Sequence, residues 1–190
     1  MKVLGYSISA ADNDSYMNSD QHEVNICRCL DFVKNRHLHL NPTFKLNKKN
    51  YDISYTWDDF LLVSDRFKQF CIDNKYTSVS FIEIPNYPTK HLMTVSNITD
   101  FDSARRETKF LEFSPECNEY NEVVGATPVC LTIDSPLTDN FFRTNIEFGR
   151  GYAKGPIILV GVETAIKLKA QKLKGLYLEK ILAKYDWEKS

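Results

Sequence analysis

Two stretches of the chain carry the same order of strand, helix and strand, and this feature constrains the fold most. The first covers residues 60–84 and the second covers residues 155–181. They align without a gap at an offset of 97 residues, which places Leu62 on Leu159. Few identities survive between them, but the expected helix and strand boundaries coincide. The pattern therefore predicts two equivalent β-α-β units that form the framework of the protein.

A helix is predicted at the centre of each unit. In the first unit Ser64 is a good N-cap, because its hydroxyl can accept a hydrogen bond from the first helical turn. Phe67, Phe70 and Cys71 follow at i, i+3 and i+4 spacing, which places them on one apolar face. Leu168 takes an inward position in the second unit. We therefore expect each helix to bury one face in the core.

Further short strands are predicted outside the two helices. They cover residues 2–8, 43–46, 53–57, 91–95, 109–113, 129–133 and 141–148, and a helix over residues 21–35 would follow a cap at Ser19 or Asp20. This pattern predicts an α+β fold, with a mixed, largely antiparallel sheet or sheets and a few short helices. Its two βαβ-like units are related by the weak internal repeat. Residues 1–190 are expected to form a single domain, with residues 1–85 and 86–190 as possible halves.

Composition argues against several classes of protein. The 190 residues are 43% hydrophobic and 26% charged, which suits a folded core rather than a disordered chain. A net charge of −1 provides no general attraction to nucleic acid or to acidic membranes. The first residues lack the apolar region of a signal peptide, and no apolar run reaches the roughly 18 residues of a membrane span. We therefore expect a cytoplasmic protein with no nucleic-acid or membrane partner.

One region concentrates residues that can bind a metal, namely His22, Cys27, Cys29, His37 and His39. Zinc sites usually pair their ligands as C-x-x-C or H-x-x-x-H, whereas these pairs are C-x-C and H-x-H. Such pairs share a face on a strand but not on a helix, so buried cysteines and surface histidines are the other interpretation. The odd number of cysteines, five in all, does not indicate a disulfide framework. We assign no metal site and no cofactor, and leave both interpretations of this region open.

No motif of a known catalytic or phosphate-binding site occurs in the sequence. Residues 149–155 are rich in glycine, but a strand rather than a helix follows them, which does not fit a P-loop. Asp100 and Asp102 precede Arg105 and Arg106, a pattern more typical of a solvated loop with ion pairs than of an acid–base site. We therefore expect that the protein is not an enzyme.

Two acidic groups next to aromatic residues are the best candidates for a recognition surface. Residues 112–122 contain four glutamates and no basic residue, and Trp57 is followed by two aspartates. Rim charges of this kind steer a basic partner, and an aromatic side chain can anchor it. The candidate partner-binding residues are Asp58, Asp59, Glu112, Glu116, Glu119, Tyr120 and Glu122. The basic residues 167–180, with five lysines and one glutamate, are interpreted as a solvated helix face.

The segments LLVSDRFKQFCIDN, FIEI, ITDFDSAR and PIILVGVETAIKLKAQKLKGLYLEKI together resemble immunity proteins of bacterial polymorphic toxin systems. The resemblance covers residues 60–181 and is strongest to the group related to the double-CxxCG immunity proteins. Some relatives carry a zinc ribbon, but Cys117 and Cys130 stand alone here, so the resemblance does not imply zinc. It implies a non-enzymatic protein that binds one cognate toxin protein and blocks it.

Two other functions stay open at this level. The first is a general protein-interaction domain, which would share the same scaffold and surface but lack a toxin partner. The second is a small metal-binding protein or enzyme that uses the cysteines and histidines named above. All three rest on the same expectation about the framework, that the repeated units are architecture and that chemistry or binding lies elsewhere.

Overall fold

A computed structural model describes residues 1–18, 35–38 and 40–189, and these form eleven strands and three α-helices. The strands are β1 Val3–Asp12, β2 Ile53–Tyr55, β3 Leu61–Ser64, β4 Val79–Ile84, β5 Tyr87–Val95, β6 Ile98–Thr99, β7 Lys109–Ser114, β8 Glu119–Val124, β9 Phe141–Arg150, β10 Gly155–Val160 and β11 Leu176–Leu182. The helices are α1 Asp65–Asp73, α2 Ser103–Arg106 and α3 Val162–Ala170. Single 3-10 turns cover Arg36–Leu38, Gly151–Ala153 and Asp186–Lys189. The sheet is mixed and largely antiparallel, which confirms the predicted α+β class.

The two predicted units are present, and their helices match in register. Helix α1 and helix α3 begin and end 97 residues apart, as the alignment of the sequence predicts. The Ser64 hydroxyl accepts a hydrogen bond from the Phe67 amide and caps α1. Gly161 occupies the same position before α3 and provides no side-chain cap. The two units therefore share backbone geometry although their capping chemistry differs.

Each unit is completed by a strand that lies between its two parallel strands. Strand β5 pairs antiparallel with β3 on one side and with β4 on the other. Strand β1 takes the same place between β10 and β11. The registers agree: Phe81 of β4 lies opposite Met93, and Leu178 of β11 lies opposite Ile8. The sequence suggested β-α-β units whose two strands pair directly. The structure shows a split form instead, in which a third strand lies between the two.

These inserted strands are exchanged between the two predicted halves. Strand β1 belongs to residues 1–85 but completes the unit in residues 86–190, and β5 does the reverse. At or just after the end of each inserted strand, the chain pairs with a strand of its own half. Ala11 pairs in parallel with Ser54 of β2, and Ile98, just after β5, pairs in parallel with Arg143 of β9. The two halves are therefore interlocked through their first strands.

The central core lies between the units and contains side chains from both halves. This central cluster comprises Tyr6, Ile8, Ile53, Leu61, Val63, Phe67, Phe70, Cys71, Tyr76, Met93, Val95, Phe141, Ile158, Val160, Ala165, Leu168 and Leu173. Phe141 of the second half packs edge-to-face on Phe67 and Tyr76 of the first, with ring centroids 6.1 and 5.2 Å apart. Such aromatic contacts stabilise the junction beyond simple area burial.

Some predicted local elements are wrong. Residues 43–46 form no strand; Asn41 accepts hydrogen bonds from Thr43 in a turn, and Phe44 and Leu46 bury their side chains in a cluster beneath β3. Alternating burial there comes from a loop anchored on the sheet, which mimics the period of a strand. Residues 129–133 contribute an isolated bridge, Phe101 to Leu131, rather than a strand. The predicted helix over residues 21–35 lies almost wholly outside the described residues.

We expect Phe67→Ala and Leu168→Ala each to lower the free energy of unfolding by roughly 2–5 kcal/mol, because both side chains are fully buried in the central cluster. Ile72→Ala on helix α1 is the matched control, since Ile72 is 53% exposed, and it should change stability little. Chemical denaturation of the three variants measures this. Equal, small effects in all three would contradict the assigned helix faces.

Candidate functional site

Asp58 does not lie on the predicted recognition surface. Its side chain is buried, with 2% of the residue exposed. Its carboxylate oxygens accept hydrogen bonds from the backbone amides of Met17 and Asn18, both at 2.9 Å. This carboxylate organises the chain after β1 and is not available to a partner.

Asp59 lies near the junction of the two halves, not beside the acidic stretch. Its backbone is in the left-handed region, with φ 61°. Its carboxylate lies against Gly155, where a Cβ atom would come within 1.6 Å of the Asp59 Oδ2. A side chain at position 155 would therefore displace the Asp59 carboxylate from its present position. The neighbouring Trp57 donates from Nε1 to the Asp12 carboxylate at 2.6 Å and packs edge-to-face on Tyr16.

The hairpin formed by β7 and β8 carries the other five candidate residues. These are Glu112, Glu116, Glu119, Tyr120 and Glu122. Strand β7 stands at the end of the sheet, and within the described ranges it pairs with β8 alone. Strand β8 pairs with β9 over a short stretch, Glu122 with Arg150 and Val123 with Gly149. The hairpin is thus fixed at its base while β7 is exposed almost throughout.

Three aromatic rings form an exposed cluster on this hairpin. Phe110 and Phe113 both pack on Tyr120, with ring centroids 5.4 and 5.1 Å apart. Phe113 is 50% exposed and Tyr120 is 40% exposed. Exposed aromatic groups of this kind mark interaction surfaces more often than isolated apolar residues do. The sequence indicated Tyr120 but missed the two phenylalanines, which looked like ordinary strand residues.

The backbone at Glu112 explains how both phenylalanines reach one tyrosine. Residues 110 and 113 would point to opposite faces of a regular strand. Glu112 adopts a φ of 56°, and this left-handed residue interrupts the alternation. Its carboxylate accepts hydrogen bonds from the Asn121 amide at 2.8 Å and from the Arg150 guanidinium at 2.9 Å. Glu112 therefore shapes the hairpin, and its charge is already paired with Arg150.

The remaining acidic groups surround the aromatic cluster. Glu116 lies in the exposed turn between the strands, and Glu119 and Glu122 lie along β8. The buried Lys154 donates from Nζ to the Tyr120 backbone oxygen and ties the hairpin to the junction of the halves. Cys117, also in the turn, is disulfide-bonded, whereas Cys71 and Cys130 are free buried thiols. No pattern in the sequence indicated this disulfide.

The other candidate residues from the sequence serve structural roles or lie outside the description. Asp102 caps α2 by accepting from the Arg105 amide at 2.9 Å, Arg105 pairs with Glu188, and Arg106 donates to the Thr127 oxygen. Among possible metal ligands, His22, Cys27, Cys29 and His39 are outside the described residues. In the ranges that are described, no three His, Cys, Asp or Glu side chains are grouped to hold a metal ion.

A cavity of about 320 Å³ lies at the junction of the halves. Its walls include Asp59, Arg143, Glu147 and Lys154, together with His37 from the metal-candidate region. Strands β2, β3 and β5 contribute one side, and strands β9 and β10 contribute the other. The sequence did not predict a cavity here, because its walls come from residues far apart in the chain.

The pKa of the Glu112 carboxyl lies below its usual range, because the Asn121 amide and then the Arg150 guanidinium favour the charged form. A carboxyl shifted this way stabilises the fold above its ordinary pKa, and this contribution disappears as the pH falls through the lowered value. We predict that Asn121→Ala raises the titration midpoint of Glu112. Carbon-13 NMR of the side-chain carboxyl during a pH titration measures it. An unchanged midpoint would show that Asn121 does not set the charge state of Glu112.

Comparison with known proteins does not assign this chain to a family, so the family remains a prediction based on the resemblance described above. No protein-family model matches the sequence. No curated protein matches it either. Of the helices that the structure describes, none is both long and apolar enough to cross a membrane.

Proposed function

We propose that this protein is an immunity protein, which binds a cognate bacterial toxin and blocks its active or target-binding surface. The resemblance to immunity proteins motivates this function. The exposed aromatic cluster of hairpin β7–β8, surrounded by acidic side chains, is the observation that supports it most directly. In this proposal the protein is not an enzyme, needs no cofactor and has neither nucleic acid nor membrane as a partner.

The hairpin stands apart from the repeated framework. The split β-α-β units use equivalent strands in both halves, whereas β7 and β8 have no counterpart in the described residues of the first half. Binding functions are commonly carried by segments that a rigid scaffold positions. The hairpin thus interrupts the correspondence between the two halves in the described structure. This makes it the preferred docking element.

Its chemistry suits a protein partner with a basic surface. Phe113 and Tyr120 can bury aromatic area at the centre of an interface, where a few such residues carry most of the binding free energy. Glu116, Glu119 and Glu122 would form the rim and steer a basic partner during encounter. Glu112 contributes less to steering, because Arg150 neutralises it at 2.9 Å. The partner would therefore meet an apolar centre and an acidic rim.

A general protein-interaction domain is the alternative, and it would use the same hairpin. The two functions differ in the partner: an immunity gene lies beside the gene of its toxin.

The proposed cytoplasmic location is a separate matter. The cytoplasm remains the proposed location, and a disulfide at Cys117 would be unusual in such a reducing compartment.

We predict that Phe113→Ala with Tyr120→Ala weakens binding to the product of the neighbouring gene by about tenfold or more, because aromatic anchors are lost. Glu116→Lys with Glu119→Lys should mainly slow association, and the effect should shrink at high salt. Ile166→Ala and Glu179→Lys are matched controls, since both residues are exposed on other elements. Surface plasmon resonance at two salt concentrations measures both rates.

Two results would count against the proposal in different ways. A complex that forms but is insensitive to all hairpin variants would place the docking surface elsewhere. No association with the neighbouring gene product at micromolar concentration would argue against an immunity function and favour the general interaction domain.

A further inference from the structure

The cavity at the junction of the halves is lined by equivalent positions from the two units. Tyr55 of β2 lies opposite Leu61, and Arg143 of β9 lies opposite Ile158 in the same arrangement. All four residues line the cavity. Ligand sites occur preferentially at such junctions, and a volume of about 320 Å³ falls in the range of small-molecule pockets. The cavity therefore combines side chains that no single unit could provide.

Two polar side chains in its wall have no hydrogen-bond or ion-pair partner in the part of the chain that is described. The guanidinium of Arg143, which is half-buried, forms no ion pair and donates no hydrogen bond to any described residue. The Tyr55 hydroxyl likewise has no hydrogen-bond partner among the described residues. A planar guanidinium matches a carboxylate by two parallel hydrogen bonds, and hydroxyls can add further donors.

The other charged groups of the cavity are already engaged. Lys154 donates to the Tyr120 backbone oxygen. Asp59 and Glu147 have interactions of their own. Among the described residues of the cavity wall, Arg143 is thus the basic group left for an incoming anion. Beside these polar groups, Leu61, Met93, Val95 and Ile158 add apolar surface to the cavity wall.

From this arrangement we propose that the cavity binds a small carboxylate with an apolar body. Its carboxylate would accept hydrogen bonds from Arg143, with Tyr55 as an additional donor, and its apolar part would lie against Met93 and Val95. Lys154 contacts both this cavity and hairpin β7–β8, but the proposed binding of a carboxylate does not depend on the proposed immunity function. Either one can fail while the other holds.

The test uses 3-phenylpropanoate as the probe and the neutral 3-phenylpropanamide as its matched control. Isothermal titration calorimetry and thermal melting of the full chain should show saturable binding of the carboxylate, with a raised melting temperature. The amide should bind at least about tenfold more weakly, since it lacks the charge that Arg143 recognises. Equal binding of the two probes, or no binding of the carboxylate up to its solubility, would overturn the proposal.

Variants locate the site. Arg143→Gln should weaken carboxylate binding about tenfold or more, and Arg143→Lys should retain part of it because the charge remains. Arg150→Gln, which removes an exposed arginine outside the cavity, should bind as the natural sequence does. Tyr55→Phe provides a second route if Arg143→Gln does not fold, and it should weaken binding by removing one donor. Unchanged affinity in both single variants, Arg143→Lys and Tyr55→Phe, would overturn the assignment. Unchanged affinity in a folded Arg143→Gln variant would also overturn it.

Discussion

The exchange of first strands between the two halves is the constraint on which the rest of the structure depends. Strand β5 fills the gap between β3 and β4, and strand β1 fills the gap between β10 and β11. Each inserted strand satisfies the backbone hydrogen bonds of two neighbours that would otherwise be open edges. Because each half provides the strand that the other lacks, the central cluster forms only when both halves are in place.

This interlocking also determines where function can lie. The halves meet around Phe141, Phe67 and Tyr76 on one side, and around the cavity with Arg143 and Tyr55 on the other. The sequence favoured a framework without chemistry of its own. The junction of the repeated units contains a cavity lined by polar and apolar side chains, and this makes the framework itself a candidate site. Hairpin β7–β8, fixed at its base by Lys154, is a second and separate candidate surface.

Local signals in the sequence were sufficient for helices α1 and α3 but not for their environment, and they did not predict α2. The cap at Ser64 and the spacing of Phe67, Phe70 and Cys71 correctly predicted α1 and its buried face. The offset of 97 residues correctly placed α3. Which strand lies between β3 and β4 could not be predicted, because pairing partners are chosen by long-range packing and not by local composition.

The candidate sites show the same limit. Acidic and aromatic composition indicated a surface around Tyr120, which is exposed. The same kind of pattern occurs where Asp58 follows Trp57, yet Asp58 is buried. Its role depends on the backbone amides of residues 17 and 18, which no local pattern reveals. The left-handed backbone of Glu112 cannot be recognised from the sequence alone. The same is true of the Arg143 guanidinium, which has no partner among the described residues. Each becomes meaningful only through neighbours from distant strands.

The most direct measurement is fragment complementation between residues 1–85 and 86–190. Circular dichroism of each fragment at low micromolar concentration should show no cooperative melting, and an equimolar mixture should recover the native spectrum and a cooperative transition. A fragment that melts cooperatively as a monomer would contradict the exchange of strands. So would a mixture that stays unfolded although both fragments remain in solution.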